Sequence, residues 1–407
     1  MGVSHDASPC SDYLITHYRT QGTPELFPST TTPVRGRCDD DAVRTASLPQ
    51  VRRRRLATQR LSAAGLPRGG DVVRLLTAVQ SQDAPLAAWS LAMRMPPGTT
   101  YAGLLAEQAA GGWVRTHVLR PTWHHVAPED LRWMQHATGP RVESSLNGRR
   151  RGLWLDDDLI LRAFRVLERV LAGPTPHTRR ELRPHVEAAG LPTDVQRLAH
   201  LLIVAEMRAL ICSGPPRGAE HTYVLADETL PPALLDSLDA DDARRELTRR
   251  FVAGHGPASE RDLARWSTLT LTQIRAALRD LEGDLDHVEA GGHTLWFDPR
   301  MSSRTSRAPR ALLLSTFDEV CLTYRDTGFP RRDPSASRAR LVSEAGGGIV
   351  VVGDEDVGVW KRVVTATSVR VAVSGDTPLD TSDQDAIGDA AAAFAAFLER
   401  PLDLTFG

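Results

Sequence analysis

Lysine is almost missing from this chain of 407 residues, because Lys361 is its only lysine and arginine supplies all other basic side chains. The formal net charge is -2, so the composition as a whole lacks the basic signature of a nucleic-acid-binding protein. Arginine is clustered, however, at 52–55, 149–151 and 179–180, and such a distribution can still create one positive face. A G+C-rich genome explains most of the arginine content without any function.

Long apolar runs and closely spaced cysteines are also absent. No stretch of about 18 apolar residues occurs, which argues against a membrane span. The N-terminus lacks the basic-then-apolar pattern of a secretory signal. The four cysteines (Cys10, Cys38, Cys212 and Cys321) are scattered, which favours a reducing compartment and argues against a structural zinc site. We therefore expect a cytoplasmic protein without a metal or other cofactor.

The first 50 residues show little apolar periodicity and are rich in Ser, Thr, Pro, Asp and Gly. Residues 1–50 are expected to form a disordered extension, or to reflect a start codon placed too far upstream. The folded part is predicted to open with a short basic helix at Arg52.

Beyond that point one order of elements occurs three times: helices that include a closely spaced pair, then two strands joined by a turn. This order is typical of a winged helix-turn-helix unit. After residue 308 the pattern becomes strand-like and ends in an Ala-rich amphipathic helix. The predicted fold class is α+β, mainly α, with three tandem winged helix-turn-helix units followed by a small β-barrel-like domain. The predicted units are 51–150, 151–238 and 239–307, and the β-rich domain with its C-terminal helix is 308–407.

A polar segment interrupts the first unit. Asp71 is predicted to cap a helix with apolar residues at helical spacing as far as Val79, and the pattern breaks at Gln80-Ser81-Gln82. Residues two apart on a helix point roughly 200° from each other, so the two glutamines share a target only where the backbone is turned or extended. Two neutral amides can then hold a water molecule or a polar ligand, but neither is an ordinary base.

Several stretches resemble one known family, and they span the chain from about residue 50 to its C-terminus. Their order and spacing together make the resemblance specific. The stretches are Val79-Gln80-Ser81-Gln82-Asp83, Val114-Arg115-Thr116-His117, Arg120-Pro121-Thr122-Trp123-His124, Pro128-Glu129-Asp130-Leu131, Thr178-Arg179-Arg180-Glu181-Leu182, His255-Gly256-Pro257-Ala258, Asp262-Leu263-Ala264-Arg265-Trp266-Ser267, Phe317-Asp318-Glu319 and Gly358-Val359-Trp360-Lys361-Arg362. The family comprises the winged-helix DNA glycosylases of the AlkZ and YcaQ type.

The resemblance implies tandem winged helices and a β-barrel-like domain arranged around double-stranded DNA. It implies an enzyme that cleaves the N-glycosidic bond of N7-alkylated purines. Some members unhook interstrand cross-links and protect producers of DNA-alkylating antibiotics. The family's catalytic signature, two glutamines separated by one residue (Asp replaces the second in the YcaQ branch), falls on Gln80 and Gln82. The middle residue, usually apolar, is Ser81 here. We expect the protein to act as a monomer.

Such chemistry suits two amides. An N7-alkylguanine is already cationic, so its departure needs no general acid, and what remains is to hold a water molecule against the sugar carbon. Asp83 is a candidate for electrostatic support or for a base, with a plain helix N-cap as the alternative. His117 and His124 lie on the first hairpin, either beside the lesion or as hydrogen-bonded structural histidines.

Four arginines are expected to contact DNA phosphates: Arg115 and Arg120 on the first hairpin, and Arg179 and Arg180 at the start of a capped helix. The alternative for the last two is a solvated helix face. A bifunctional glycosylase-lyase needs an amine, usually lysine. Lys361 lies far from the glutamines in sequence, so a monofunctional enzyme is predicted.

Two other functions stay open at this point. The main alternative is a winged-helix transcriptional regulator that binds DNA without catalysis, and the other is a ligand-gated regulator that senses an alkylating metabolite. Trp133 and Trp266 are expected in the core. Asp318 and Glu319 are expected to make a structural salt bridge or a turn cap rather than to take part in catalysis.

Overall fold

The computed structural model describes residues 44–63, 65–218, 220–230, 238–301, 309–335 and 346–407. The predicted disordered extension lies outside these residues as far as position 43. Residues 44–50, assigned to the same extension, are instead part of the fold. The Ala46 N–H donates to Glu289 O at 3.0 Å, and helix α1 (Leu48–Thr58) begins with a capping box between Ser47 and Gln50. The capping box satisfies free N–H groups at the helix start, so the helix begins earlier than predicted.

The first repeat forms an antiparallel sheet of three strands in the order β1-β3-β2, with three helices around it. Its elements are α2 (Gly69–Leu76), β1 (Ala78–Gln80), α3 (Ala84–Ala92), α4 (Tyr101–Ala109), β2 (Val114–His117) and β3 (Trp123–Val126). The prediction that Asp71 caps α2 is wrong, because the helix already begins at Gly69. The Glu107 carboxylate of α4 accepts hydrogen bonds from the N–H groups of Gly69 and Gly70, each at 2.9 Å, and so takes the capping role.

The second and third repeats follow the same order of helix, short strand, two helices and hairpin. A 3₁₀ turn (Pro128–Asp130) and the long helix α5 (Leu131–Gly152) lead into the second repeat. Its sheet order, β4-β6-β5, matches that of the first repeat. In the third repeat a single bridge between Ala258 and Trp296 takes the place of the first strand. The elements are α6 (Asp157–Leu171), β4 (His177–Thr178), α7 (Arg179–Ala188), α8 (Val195–Met207), β5 (Ile211–Ser213), β6 (Thr222–Leu225), α9 (Ala226–Thr229), α10 (Ala240–His255), α11 (Glu260–Ser267), α12 (Leu271–Asp280), β7 (Asp286–Ala290) and β8 (His293–Phe297).

The C-terminal part is a sheet of five strands in the order β13-β12-β11-β10-β9, in which only the β12–β13 pair is parallel. In the described part of the chain the edge strands β9 and β13 do not pair with each other, so the sheet is open and the expected closed barrel is not seen. The elements are β9 (Ala311–Ser315), α13 (Glu319–Thr323), β10 (Gly347–Val352), β11 (Glu355–Val364), β12 (Val369–Gly375), α14 (Thr381–Phe397) and β13 (Leu402–Phe406). The mixture of helices and strands agrees with the predicted α+β class.

Two packing contacts position the segment after β1. On one side, Phe394 of α14 lies between Trp89 of α3 and Trp360 of β11, with ring centroids 5.1 and 5.2 Å apart. On the other side, α10 approaches α2 so closely that a Cβ on Gly254 would lie 2.2 Å from Leu75 O. The first repeat is therefore held between the C-terminal sheet and the third repeat. Trp133 and Trp266 are fully buried, as predicted. Among the described residues no helix is both long and apolar enough to cross a membrane.

Candidate active site

The chain is extended at Gln80 and Ser81 and bends at Gln82. Strand β1 aligns Gln80 with His124 of β3, and the pairing continues for one more residue because the Ser81 N–H donates to Trp123 O at 2.7 Å. In an extended chain, side chains two residues apart point to the same side. The backbone therefore meets the condition under which Gln80 and Gln82 can share a target. Gln80 is buried, with 6% of its surface exposed, whereas Gln82 is exposed.

Both glutamine amides contact the β2–β3 hairpin through their oxygens. Arg120 Nη2 donates to Gln80 Oε1 at 2.8 Å, and the Trp123 N–H donates to Gln82 Oε1 over a longer 3.4 Å. A guanidinium and a peptide N–H can only donate, so the oxygen of each amide has to face them. In the described part of the chain neither NH₂ group has an acceptor. The two amides therefore offer N–H donors to an incoming molecule.

Arg120 is anchored by three acceptors within the protein. Besides Gln80 Oε1, its guanidinium donates to Trp266 O and to His124 Nε2, the latter at 3.1 Å. Burial lowers the pKa of Arg120, and the nearby Glu319 carboxylate offsets this effect only in part. The structure thus places this predicted phosphate contact against Gln80.

His124 supports Arg120 as a neutral acceptor. Its Nδ1 lies 2.8 Å from Thr122 O, which fixes the proton on Nδ1 and leaves Nε2 free to accept from Arg120. Burial, followed by the charge of Arg120, holds the pKa of His124 well below its usual value. His124 is therefore neutral at physiological pH.

Glu319 is the residue of this site that the sequence analysis missed. Its carboxylate is buried, with 1% exposed; Oε1 accepts from the Gln80 N–H at 3.1 Å and Oε2 from Trp266 Nε1 at 2.8 Å. His255 Nε2 lies 3.4 Å from Oε2. The sequence signals were a pair of carboxylates after a buried strand and the family stretch Phe317-Asp318-Glu319. Neither indicated that Glu319 meets a glutamine 239 positions away.

The neighbouring Asp318 has the structural role that was expected for both carboxylates. Its two oxygens accept from Arg94 at 2.8 and 2.9 Å, and one of them also caps α13 by accepting from the Val320 N–H at 3.0 Å. Both partners of this ion pair are fully buried. Asp318 therefore anchors the turn that presents Glu319.

Arg115 and His117 lie on the opposite face of the first sheet, toward the second repeat. Arg115 Nη2 donates to Ser81 O at 3.0 Å, and its guanidinium lies 4.2 Å from the centroid of the Trp123 ring. His117 Nδ1 lies 2.6 Å from the buried Glu206 carboxylate. Because alternate residues of a strand face opposite sides, His117 does not join His124 beside Gln80. Arg115 instead supports the backbone between the two glutamines.

Asp83 caps a helix, as the alternative interpretation predicted. Its Oδ1 accepts from the Leu86 N–H at 3.0 Å at the start of α3. Its carboxylate also forms an ion pair with Arg362 of β11, with Nη2 3.0 Å from Oδ1. This carboxylate already has two partners within the protein.

Arg179 and Arg180 lie at the start of α7 in the second repeat, and no contact joins them to Gln80 or Gln82 among the described residues. Arg179 donates to Val195 O, and Arg180 lies 3.5 Å from Glu220 with 78% of its side chain exposed. Thr178 and Glu181 form the predicted cap of this helix as a capping box. Within the described ranges, no three His, Cys, Asp or Glu side chains are grouped in a way that would hold a metal ion.

Comparisons with known proteins cover most of the chain. A family model described as DNA glycosylase AlkZ-like matches residues 73–397, a range that includes Gln80, Gln82 and Glu319. Among solved structures, the DNA glycosylase AlkZ of Streptomyces sahachiroi matches with a TM-score of 0.68 and 22% identity, covering 88% of this chain and 100% of that one. At this identity the structural match supports the fold alone, and no curated protein matches the sequence. Since the family model spans most of its length, the chain belongs to the AlkZ-like DNA glycosylase family.

Proposed function

We propose that the protein is a monofunctional DNA glycosylase that hydrolyses the N-glycosidic bond of N7-alkylated purines in double-stranded DNA, with Gln80 and Gln82 as catalytic residues. The proposed role is repair of alkylation damage or self-resistance, including bulky antibiotic adducts and interstrand cross-links. One observation carries the proposal. Two neutral amides on either side of Ser81 have their oxygens held by the protein, while both NH₂ groups lack a partner among the described residues.

The chemistry follows from the charge of the lesion. When the bond between C1′ and N9 of the purine breaks, its electron pair neutralises the cationic base, which leaves without a proton donor. The sugar becomes oxocarbenium-like and is captured by water, which loses one proton to the solvent. Only one of the two amides can donate to this water, because a second donor would occupy the lone pair that attacks C1′; that amide contributes orientation, and the other NH₂ group is left for an oxygen of the DNA. A neutral His124 beside the site is compatible with this route, because no acid is required.

DNA binding is proposed to use the three repeats as winged-helix units, acting in one monomer in the cytoplasm. The repeated order of helix, strand, two helices and hairpin supports this assignment, as does the recurrent position of the first strand beside the last. Arg180 is exposed at the N-terminus of α7, where free N–H groups and a cationic side chain favour a phosphate. Arg179 is proposed to contact the same phosphate.

The monofunctional mechanism depends on the scarcity of lysine. Lys361 lies on β11 directly before Arg362, which reaches Asp83 beside the glutamines. Distance along the sequence therefore does not by itself keep Lys361 from the site. A monofunctional enzyme is supported by strand alternation, which puts Lys361 on the opposite face of the sheet from Arg362. The proposed product is an abasic site in an uncut strand.

The decisive experiment uses a DNA duplex with a single N7-methylguanine, followed by hot alkali to cut abasic sites. We expect strand breaks with the wild type and with Gln384→Ala, a matched glutamine variant in α14. In Gln80→Ala and Gln82→Ala the rate is expected to fall roughly 100-fold, with DNA affinity retained. DNA binding without breaks by the wild type would overturn the proposal in favour of a regulator.

A further inference from the structure

Gln80 is held by two charged side chains of opposite sign that come from different parts of the fold. Arg120, in the β2–β3 turn, donates to the side-chain oxygen, and Glu319, at the start of α13, accepts from the main-chain N–H. We propose that Arg120 and Glu319 are positioning residues for Gln80, Arg120 by setting which end of the amide faces the DNA and Glu319 by holding its backbone. The inference rests on the proposed function only in taking Gln80 as the residue that acts on the substrate.

Arg120 sets the polarity of the amide because its own orientation is fixed. One nitrogen of the guanidinium donates to Trp266 O and the other to His124 Nε2. His124 cannot turn its ring without losing the hydrogen bond from Nδ1 to Thr122 O. Rotating the Gln80 amide by half a turn would place its NH₂ group against the cationic donor. That rotation forfeits a charge-assisted hydrogen bond in a partly buried site, so the NH₂ group stays directed outward.

Glu319 complements Arg120 through Trp266. The indole of Trp266 donates to Glu319 Oε2, while its carbonyl accepts from Arg120. One residue of the third repeat therefore contacts both charged groups. The Glu319 carboxylate also accepts from the Gln80 backbone, and its negative charge offsets the buried positive charge of Arg120. Gln80 is thus held directly by Arg120 of the first repeat and Glu319 of the C-terminal part, and Trp266 of the third repeat holds both of these residues.

The first test is a double-mutant cycle between Arg120 and Gln80. Single-turnover rates of base release from the N7-methylguanine duplex are measured for the wild type, Arg120→Met, Gln80→Ala and the double variant. DNA affinity is measured at several salt concentrations. We expect Arg120→Met to slow base release roughly 10-fold or more with unchanged affinity and salt dependence. In the Gln80→Ala background it should have no further effect, because Arg120 acts through Gln80.

A phosphate contact by Arg120 would give the opposite result. Affinity would fall, the slope of log affinity against log salt would shrink by about 1, and the losses of the two variants would multiply. Either multiplicative losses or a changed salt slope overturns the Arg120 part of the proposal. Arg120→Lys, which keeps the charge but loses the planar pair of donors, serves as a second variant if the methionine variant folds poorly.

The second test removes the Glu319 charge and compares the result with a matched buried carboxylate. Asp130 also accepts from an indole, Trp133 Nε1 at 2.9 Å, and pairs with Arg250 at 2.7 Å, but it does not contact Gln80. We expect Glu319→Gln to slow base release at least roughly 10-fold more than Asp130→Asn, at a temperature where both variants are folded. Equal effects of the two variants would overturn the Glu319 part.

These outcomes separate the inference from the proposed function. If Gln80→Ala is as active as the wild type, the catalytic assignment fails. If Gln80→Ala is inactive while Arg120→Met and Glu319→Gln match the wild type, only the inference fails. If the wild type releases no base, the ¹⁵N resonance of the Gln80 NH₂ group still reports on its contact. We expect that resonance to shift in Arg120→Met and not in Asp130→Asn, and an unshifted resonance overturns the inference.

Discussion

Arg362 belongs to the C-terminal sheet, yet its guanidinium reaches both carboxylate oxygens of Asp83, at 3.0 and 3.2 Å. Asp83 directly follows Gln82 and caps α3. The C-terminal sheet therefore forms an ion pair with the residue that follows the proposed catalytic pair. The glutamine segment is thus held at both ends. Glu319 acts on its first residue and Arg362 on the residue after its last.

Asp83→Asn distinguishes the helix-capping role of Asp83 from the role of its negative charge. The amide oxygen can still cap α3, so we expect the free energy of unfolding to fall by only about 1 kcal/mol through the lost ion pair. Base release should stay within about threefold of the wild type, because the proposed chemistry uses no carboxylate. Urea denaturation and single-turnover rates measure both quantities. A 100-fold slower rate in this folded variant would instead assign Asp83 to the chemistry.

Gln80→Glu tests which end of the amide matters. The variant keeps an oxygen for Arg120 but replaces the outward NH₂ donor with a second, negatively charged oxygen. We expect base release to fall about as far as in Gln80→Ala, roughly 100-fold. Thermal stability should not fall, since the new carboxylate pairs with Arg120. Activity near that of the wild type would mean that the outward donor is not needed.

Borohydride reduction tests the monofunctional mechanism. A lyase forms a Schiff base that borohydride converts into a stable protein–DNA adduct. We expect no adduct when the enzyme is reduced during turnover on the N7-methylguanine duplex, and we expect Lys361→Met to release base at the wild-type rate. A covalent adduct in the wild type that is missing in Lys361→Met would contradict the prediction.

Gly254→Ala tests the contact between α10 and α2. The added methyl group would lie 2.2 Å from Leu75 O, so one of the helices has to shift. We expect a loss of about 1–3 kcal/mol in the free energy of unfolding, as is usual for overpacking. Gly283→Ala is the control, because its Cβ meets no atom within 4 Å. Equal urea midpoints for the two variants would show that the helices are not packed this closely.

The buried His125 and the half-buried His221 predict a loss of stability in mild acid. Burial, followed by the charge of Arg115, lowers the pKa of both His125 and His221 to about 3. Their pKa in the unfolded chain is about 6.5, so below that pH the unfolded state binds protons that the native state does not. Neither histidine therefore lowers the free energy of unfolding above about pH 6.5. Below that pH the free energy of unfolding falls by roughly 1.4 kcal/mol per pH unit for each histidine.

The measurement is urea denaturation at pH 7.5, 6 and 5 for the wild type and His125→Gln. The variant should lose stability less steeply, by about the contribution of one histidine. Other groups titrate in the same range, so the difference between the two slopes carries the result. Identical slopes would mean that His125 is not kept neutral in the fold.

Local signals in the sequence were sufficient for much of this protein. The α+β class, the helix cap at Thr178 and the cap at Asp83 all depend on contacts between near neighbours in the chain. Residue patterns report such contacts directly, because helix and strand periodicity and capping act over a few residues. The Gln80-Ser81-Gln82 motif was visible for the same reason.

Tertiary structure decided what those residues contact. Glu319 meets Gln80 across 239 positions and Arg362 meets Asp83 across 279, and no periodicity encodes such pairs. A distant partner also accounts for the misassigned start of α2, since Glu107 caps that helix. The direction in which Arg120 points, toward Gln80 rather than toward solvent, depends on where the third repeat places the Trp266 carbonyl. A single side chain has several low-energy directions, and only the packed surroundings select one of them.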